Sequence, residues 1–318
     1  MAYETEWLNV LEFDSVLRLV ARYCDTEGGR NAVSKLSPHG TEYELRQTQK
    51  RLAETMELLT TTKFPGLSGY EPPRDIVRQC RISSVISPNV FRRLYDNLLK
   101  ARKATQFVMS RSEKFRHVAT MLSKLPDLSE LERDIDNVID KRDKIRDTAS
   151  PEISRIRNRI RQLDEQIHST LKSLARGQDI RRMLQFPEPT ISGERYVLAV
   201  KSEHRSRFDG IAHYSSDSGQ TTFMEPYAVV GKTNDLMREK SAEKAGKKAG
   251  LLAQLAKSVI RHSEQLDQYF VIIDRLDVLI GSARFGASFN GVVPDISFDM
   301  VLKLEEAKHP LLPGHHSP

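Results

Sequence analysis

The chain has 318 residues and a net charge of +6; 39% of its residues are hydrophobic, 29% are charged and 7% are aromatic. This hydrophobic content suffices for a core, while the abundant charge and few aromatic side chains favour an elongated helical protein with a large hydrated surface. Because the sequence has no run of 18 apolar residues, no basic start like that of a signal peptide and no CxxC motif around Cys24 or Cys80, we expect a cytoplasmic protein without a membrane span, a disulfide framework or cysteine-bound zinc.

The first 125 residues carry signals for several short helices. Gly28-Gly29 is predicted to end a helix, because glycine pairs commonly stop helical periodicity. Thr41 is a predicted N-cap, and Glu44 three residues later completes a capping box. Ser87-Pro88 places a cap and an N1 proline before another helix. The sequence thus predicts a helical core over residues 1–125.

Two later stretches show apolar residues three and four positions apart, from Leu131 to Leu174 and from Leu252 to Ala283. A four-residue stutter coincides with Pro151, which lacks an amide proton, so we expect a kink or a helix restart there with Ser150 as its cap. Because each helix would expose an apolar seam, the two stretches are predicted to pair as an antiparallel lever. Its ascending helices would span residues 126–190, and its descending helix and return to the core would span residues 227–290.

Between these stretches the hydrophobic pattern changes to period two. Strands are predicted at residues 195–201, 208–214 and 221–224, with a turn at residues 215–219. A three-stranded meander would therefore form a small β clamp, residues 191–226, at the tip of the lever. The predicted fold class is mainly α: a helical core plus a long antiparallel coiled-coil lever that carries a small β clamp at its tip.

The sequence offers no catalytic, cofactor or metal site. Gly231-Lys232-Thr233 resembles the end of a phosphate-binding loop, but Pro226 stands where that loop requires a glycine. The nine histidines form no HxH or HxxxH motif, and the one adjacent pair is His315-His316. No GxSxG motif marks a nucleophile. We expect no enzymatic activity from these residues.

Basic residues indicate a polyanionic partner. Residues 141–182 contain twelve Lys or Arg against six Asp or Glu. Cations and short neutral donors also follow the first predicted strand, and such groups suit phosphodiester oxygens without reading bases. The candidate nucleic-acid-binding residues are Lys201, His204, Arg205, Arg207, Ser218, Gln220, Arg157 and Arg161. No aromatic residue interleaves these cations, so base stacking is not predicted. A hydrated, salt-bridged helix and an ordinary basic hairpin are the alternatives.

Seven short segments occur in the order found in a known family. Four lie in the predicted β region: Arg195-Tyr-Val-Leu-Ala-Val-Lys201, Gly210-Ile-Ala-His213, Ser218-Gly219 and Phe223-Met-Glu-Pro226. The others are Leu11-Glu-Phe13, Ile145-Arg-Asp-Thr-Ala-Ser-Pro151 and Ala307-Lys-His-Pro-Leu-Leu312. Together they resemble the type-2 MutS proteins, bacterial paralogues of the mismatch-repair ATPase, and the resemblance covers essentially the whole chain.

The resemblance implies a helical core, a lever and a small β clamp, without the mismatch-reading domain of true MutS. It also implies that the chain is an N-terminal fragment, with residues 291–318 the truncated start of an ATPase domain and a nuclease-like domain beyond it. ATP and magnesium would belong to that absent ATPase domain, so no cofactor is expected in this fragment.

The resemblance further implies a full-length homodimer that encloses nucleic acid. Its partners would be duplex or branched DNA, in the suppression of recombination, or the ribosomal RNA of stalled ribosomes. The predicted function is therefore the nucleic-acid-binding clamp and lever of a MutS-like ATPase. The alternative is a purely structural coiled-coil module that dimerises or spaces other domains without contacting nucleic acid.

Overall fold

The structure, a computed structural model, describes residues 2–83, 86–243, 248–297, 301–305 and 307–312. The chain divides into two compact units. The helical unit comprises residues 1–83, 89–136 and 256–318, and the sheet unit comprises residues 84–88 and 137–255. Parts of the predicted segment 291–318, including His315-His316, lie outside the described residues.

The described residues form thirteen α-helices and four β-strands. The helices are α1 (Ala2–Val10), α2 (Phe13–Ala21), α3 (Glu27–Val33), α4 (Glu42–Thr61), α5 (Ile76–Ile82), α6 (Pro88–Met109), α7 (Arg116–Leu122), α8 (Ser129–Val138), α9 (Pro151–Arg176), α10 (Gln178–Met183), α11 (Tyr227–Ala242), α12 (Lys248–Arg261) and α13 (Ser263–Ser288). The strands are β1 (Leu184–Ser192), β2 (Arg195–Lys201), β3 (Gly210–Ser215) and β4 (Thr221–Pro226).

Two predicted helix caps are confirmed. The Thr41 hydroxyl accepts a hydrogen bond from the amide of Glu44 at 3.3 Å, at the start of α4. The Ser150 hydroxyl accepts one from the amide of Ile153 at 3.1 Å, with Pro151 at the first helical position of α9. Each hydroxyl satisfies an amide that has no partner within its own helix.

The prediction that Gly28-Gly29 ends a helix is wrong. Both glycines lie buried inside α3, against α13. The carboxylate of Asp277 in α13 is fully buried and accepts hydrogen bonds from the amide and hydroxyl of Thr26 at 2.8 and 2.7 Å. A Cβ atom at residue 29 would lie 2.0 Å from Asp277 Oδ2. Glycine is therefore needed here for the close approach of two helices.

The predicted coiled-coil lever is also wrong, because neither of its helices is continuous. On the ascending side α8 ends at Val138, and an isolated β-bridge joins Ile139 to Ile145 before α9 begins. The Asp140 carboxylate accepts hydrogen bonds from the amides of Arg142 and Lys144 at 2.8 and 2.9 Å, which stabilises a turn in place of a helix.

On the descending side the described residues of the predicted helix belong to α11, α12 and α13. His262 separates α12 from α13 with backbone angles outside the helical region. The helix that packs against α9 is α11, which begins at Tyr227, well before the predicted seam at Leu252. The three-four spacing therefore belongs to separate amphipathic helices, which show the same spacing as a coiled coil over a few turns.

The small sheet has four antiparallel strands in the order β1-β2-β4-β3, instead of the predicted three. The additional strand, β1, lies in a segment that was predicted to continue the ascending helix. Pro187 and Pro189 fall within it and prevent a helix, since proline lacks an amide donor and clashes with the preceding turn. Because β1 is an edge strand, proline is tolerated there.

The core of the sheet unit lies between one face of this sheet and the helices α9 and α11. We call that face the inner face, and the opposite one the outer face. Inward-pointing residues of β2 and β4 pack with apolar residues of both helices. The principal contributors are Leu163, Ile167, Leu171, Tyr196, Leu198, Val200, Met224, Val229 and Leu236.

An ion network connects the segment before α9 to the end of α11. Arg157 Nε donates to Glu243 Oε1 at 2.8 Å, and Arg157 Nη1 donates to the Ile145 carbonyl at 2.8 Å and also pairs with Asp147. Lys248 contacts the same Glu243 carboxylate at 3.0 Å. Burial alone would raise the pKa of Glu243, but the hydrogen bonds from Arg157 and Lys248 outweigh it and lower that pKa.

We expect Gly29→Ala to lower the free energy of unfolding by about 2–3 kcal/mol, because the new methyl group would displace the buried Asp277 carboxylate. Urea unfolding followed by circular dichroism measures the change. Gly40→Ala is the matched control, since its Cβ would meet no atom within 4 Å. Equal effects of the two substitutions would contradict the close packing of α3 against α13.

Arg157→Ala should lower the free energy of unfolding by about 2 kcal/mol, because it leaves Glu243 and Asp147 without their shared donor. The control Arg159→Ala removes an exposed arginine of α9 and should change it by less than about 0.5 kcal/mol.

The cost of Arg157→Ala should also depend on pH. Hydrogen bonding to Arg157 lowers the folded-state pKa of both Asp147 and Glu243. The resulting stabilisation is complete above their unfolded-state pKa values, about 4, and is lost as the pH falls through the lower folded values. The difference between the variant and the wild type should therefore shrink between pH 7 and about pH 3; a constant difference would show that the network contributes no charge-dependent stability.

Candidate nucleic-acid interface

The end of β2 and the turn between β3 and β4 meet at one end of the sheet. The Ser202 amide donates to the Gln220 carbonyl at 3.0 Å, and the Ser202 hydroxyl donates to the Gly219 carbonyl at 2.6 Å. Lys201 lies opposite Thr221 in the register of β2 and β4. We call residues 181–182, 201–207 and 216–220 the basic end of the sheet.

The turn at the basic end is held by its own hydrogen bonds. The amides of Gly219 and Thr221 donate to the Ser216 carbonyl and hydroxyl, at 2.8 and 3.1 Å respectively. Gly219 has a φ of 68°, which glycine adopts without strain. The predicted residues Ser218 and Gln220 are both exposed, and Ser218 lies 3.3 Å from the hydroxyl of Ser216. The turn thus offers short neutral donors on an ordered backbone.

The predicted cations after β2 lie on a connection that is anchored to the core. The amides of Arg207 and Phe208 donate to the His204 carbonyl at 3.0 and 3.1 Å, and the Phe208 ring is buried in the inner cluster. Arg205 and Arg207 are exposed. His204 lies 3.4 Å from the Glu203 carboxylate, an ion pair only if the imidazole is protonated. The connection therefore presents two guanidinium groups to solvent.

Two further cations at this end were not among the predicted site residues. Lys201 Nζ donates to the Arg182 carbonyl at 3.3 Å, which brings the end of α10 to the basic end. Arg181 and Arg182 are both exposed. They are the last two residues of the basic stretch 141–182 noted in the sequence. Their proximity to Lys201 depends on β1, which was not predicted from the sequence. The basic end contains five Lys or Arg against Glu203 and Asp217.

Arg157 and Arg161 form ion pairs with carboxylates that are not part of the basic end. Tyr196, near the start of β2, donates to the Asp164 carboxylate of α9, which joins this part of α9 to the end of β2 opposite Lys201. Arg157 takes part in the ion network described above. Arg161 pairs with Asp147 at 3.1 Å and donates to Asn158 at 2.5 Å. A nucleic-acid contact by these two arginines stays a prediction.

The described residues also clarify the other motifs. Gly231-Lys232-Thr233 lies inside α11, where the Thr233 hydroxyl donates to the Val229 carbonyl at 3.1 Å, so it is not a phosphate-binding loop. Within the described ranges, no group of three or more His, Cys, Asp or Glu side chains is arranged to hold a metal ion. None of the helices described here is both long enough and apolar enough to cross a membrane.

Known proteins are similar to this chain over nearly its whole length. No family model matches it. The chain is 30% identical over 311 residues to Endonuclease MutS2 of Pelotomaculum thermopropionicum, covering 98% of this chain and 40% of that protein. It is 30% identical over 312 residues to Endonuclease MutS2 of Bacillus velezensis and 28% identical over 309 residues to Putative endonuclease MutS2 of Bacillus subtilis, each time covering 96% of this chain and 39% of the relative. The chain thus spans about 40% of the length of the curated relatives it matches.

Proposed function

We propose that this chain is the nucleic-acid-binding part of a type-2 MutS protein and that the basic end of its sheet contacts the sugar-phosphate backbone. One observation carries the proposal: the hydrogen bonds from Ser202 to Gly219 and Gln220, which join the end of β2 to the hydroxyl-rich turn. They group exposed cations with neutral donors on an ordered scaffold. The similarity to MutS2 proteins over 98% of the chain supports a role with nucleic acid.

The chemistry of the basic end suits phosphates. Lysine and arginine neutralise phosphate charge and release counterions, and serine hydroxyls and backbone amides position the strand without reading bases. Such contacts serve DNA and RNA alike. We therefore propose duplex or branched DNA, or structured ribosomal RNA, as the partner. Competition between a four-way DNA junction and a ribosomal RNA hairpin would show which of them the chain binds more tightly.

The remaining functions belong, in this proposal, to the longer proteins. The matched relatives are named endonucleases, and we assign no step of that reaction to residues of this chain. We propose that ATP hydrolysis with magnesium and any strand cleavage use residues outside the matched 40%, and that two copies of the longer protein close around the nucleic acid.

A structural module without nucleic-acid contact is the second candidate. The ion pairs of Arg157 and Arg161 favour it for α9, because these arginines already have carboxylate partners within the chain. Such a module would associate with nucleic acid weakly and without the salt dependence of phosphate neutralisation. The two candidates therefore predict different slopes of log affinity against log salt concentration.

Reversing two charges at the basic end tests the proposal. We expect Lys201→Glu with Arg205→Glu to weaken binding to a four-way DNA junction at least about tenfold at about 0.1 M salt, and to reduce the slope of log affinity against log salt by about 2. Fluorescence anisotropy over a series of salt concentrations measures both quantities.

A matched control separates this site from a general effect of net charge. Lys35→Glu with Lys124→Glu changes the net charge equally at two exposed positions of the helical unit, and should reduce affinity less than about threefold. Equal losses for the two double variants, or no loss for either, would rule out the basic end as the binding site.

A further inference from the structure

The outer face of the sheet carries aromatic side chains on three of its four strands. Residues directly opposite each other on paired antiparallel strands point to the same face. Phe186 of β1 lies opposite Ala199 of β2, Ala199 lies opposite Phe223 of β4, and Phe223 lies opposite Tyr214 of β3. Three rings and one small residue therefore form a single line, which we call the aromatic row.

The two outermost rings of this row are exposed to solvent. Tyr214 is 47% exposed and Phe186 is 40% exposed, and the register of each strand shifts next to these residues. The rings of Tyr214 and Phe223 are stacked, with centroids 4.3 Å apart and planes 11° apart. Ala199 is fully buried and separates the positions of Phe186 and Phe223. Exposed aromatic rings that share one face of a sheet are typical of a binding surface.

The charges beside the aromatic row indicate which kind of ligand it would bind. Lys201 belongs to the adjacent row of the same face, two residues beyond Ala199 along β2, where the basic end begins. On the opposite side the Glu225 carboxylate is fully buried and accepts hydrogen bonds from Arg195 and His213, both at 2.9 Å. The row is thus bordered by basic side chains, and its acidic neighbour is shielded from solvent.

We propose that the aromatic row stacks the unpaired bases of a single-stranded nucleic-acid segment whose backbone lies along the basic end. This inference rests on the proposed function and names the form of nucleic acid bound. Every base has a π face, so aromatic side chains bind single strands with little sequence preference, while neighbouring cations bind the phosphates. A duplex keeps its bases stacked inside and cannot use the row. Branched DNA and structured RNA both contain unpaired segments that can.

The proposal changes one expectation from the sequence. No aromatic residue interleaves the cations along the chain, yet the pairing of four strands brings three rings to the face that carries Lys201. The row uses residues from β1, β3 and β4, and β1 was not predicted.

Three ligands separate base stacking from phosphate contact. Anisotropy measurements would compare a labelled thymidine strand of about 12 nucleotides, an abasic strand of the same length and charge, and a duplex. The wild-type chain should bind the thymidine strand about five- to hundredfold more tightly than the abasic strand, because only the former can stack. Both single strands should show a similar dependence on salt, since their phosphates are the same.

Substitutions in the row should remove that preference. Phe186→Leu with Tyr214→Leu should bring the affinity for the thymidine strand to within about twofold of that for the abasic strand, and leave duplex binding unchanged. Phe186→Tyr with Tyr214→Phe keeps the rings and should preserve the preference. Tyr227→Leu removes an aromatic ring that is 63% exposed at the start of α11 and is the matched control, with no expected effect.

The outcomes distinguish this inference from the proposed function. If the wild type binds the abasic and thymidine strands equally and still binds the duplex, the stacking inference is overturned and the proposed function stands. If no nucleic acid binds, both the stacking inference and the proposed function are wrong. If the leucine variants change only the sedimentation of the chain, and not its preference for the thymidine strand, the aromatic row is a contact between two copies of the chain and the inference is wrong.

Discussion

Burial of the inner face of the sheet beneath α9 and α11 is the interaction on which the sheet unit depends. Leu198 and Val200 on β2 are fully buried against residues such as Ile167 and Leu171 of α9, and each such side chain contributes roughly 1.5–3 kcal/mol. A sheet of four short strands is not stable without a covered face. Because the two helices occupy the inner face, the exposed rings of the outer face and the basic end of the sheet are available for binding.

The same constraint explains the positions of the charged groups. Antiparallel sheets often cover one face and hydrate the other, so polar residues are expected outside. Arg195 and His213 follow this rule and donate hydrogen bonds to the buried Glu225 carboxylate. Phe186 and Tyr214 do not, because their rings are apolar and yet remain partly in contact with water on the face that carries Lys201. A ligand that supplies flat, apolar faces together with negative charge accounts for both features.

Local signals could be predicted from the sequence, whereas pairings between distant segments could not. The caps at Thr41 and Ser150 and the strand at residues 195–201 depend on adjacent residues and were found correctly. The prediction of the lever failed because three-four spacing is common to every amphipathic helix and does not identify the partner helix. The approach of Lys201 to Arg182 and the aromatic row both require β1, whose prolines gave it no strand signal. Gly29 is explained only by Asp277, far away in the sequence.

The most direct test of this account is photo-crosslinking of the chain to a single strand that contains 5-iodouracil, followed by mass spectrometry of the linked peptides. The account predicts adducts at Phe186, Tyr214 or Phe223, and their loss when an excess of unlabelled single strand competes. Adducts confined to the helical unit, or to the α9 surface around Arg157, would contradict the central claim that the outer face and basic end of the sheet form the nucleic-acid-binding surface.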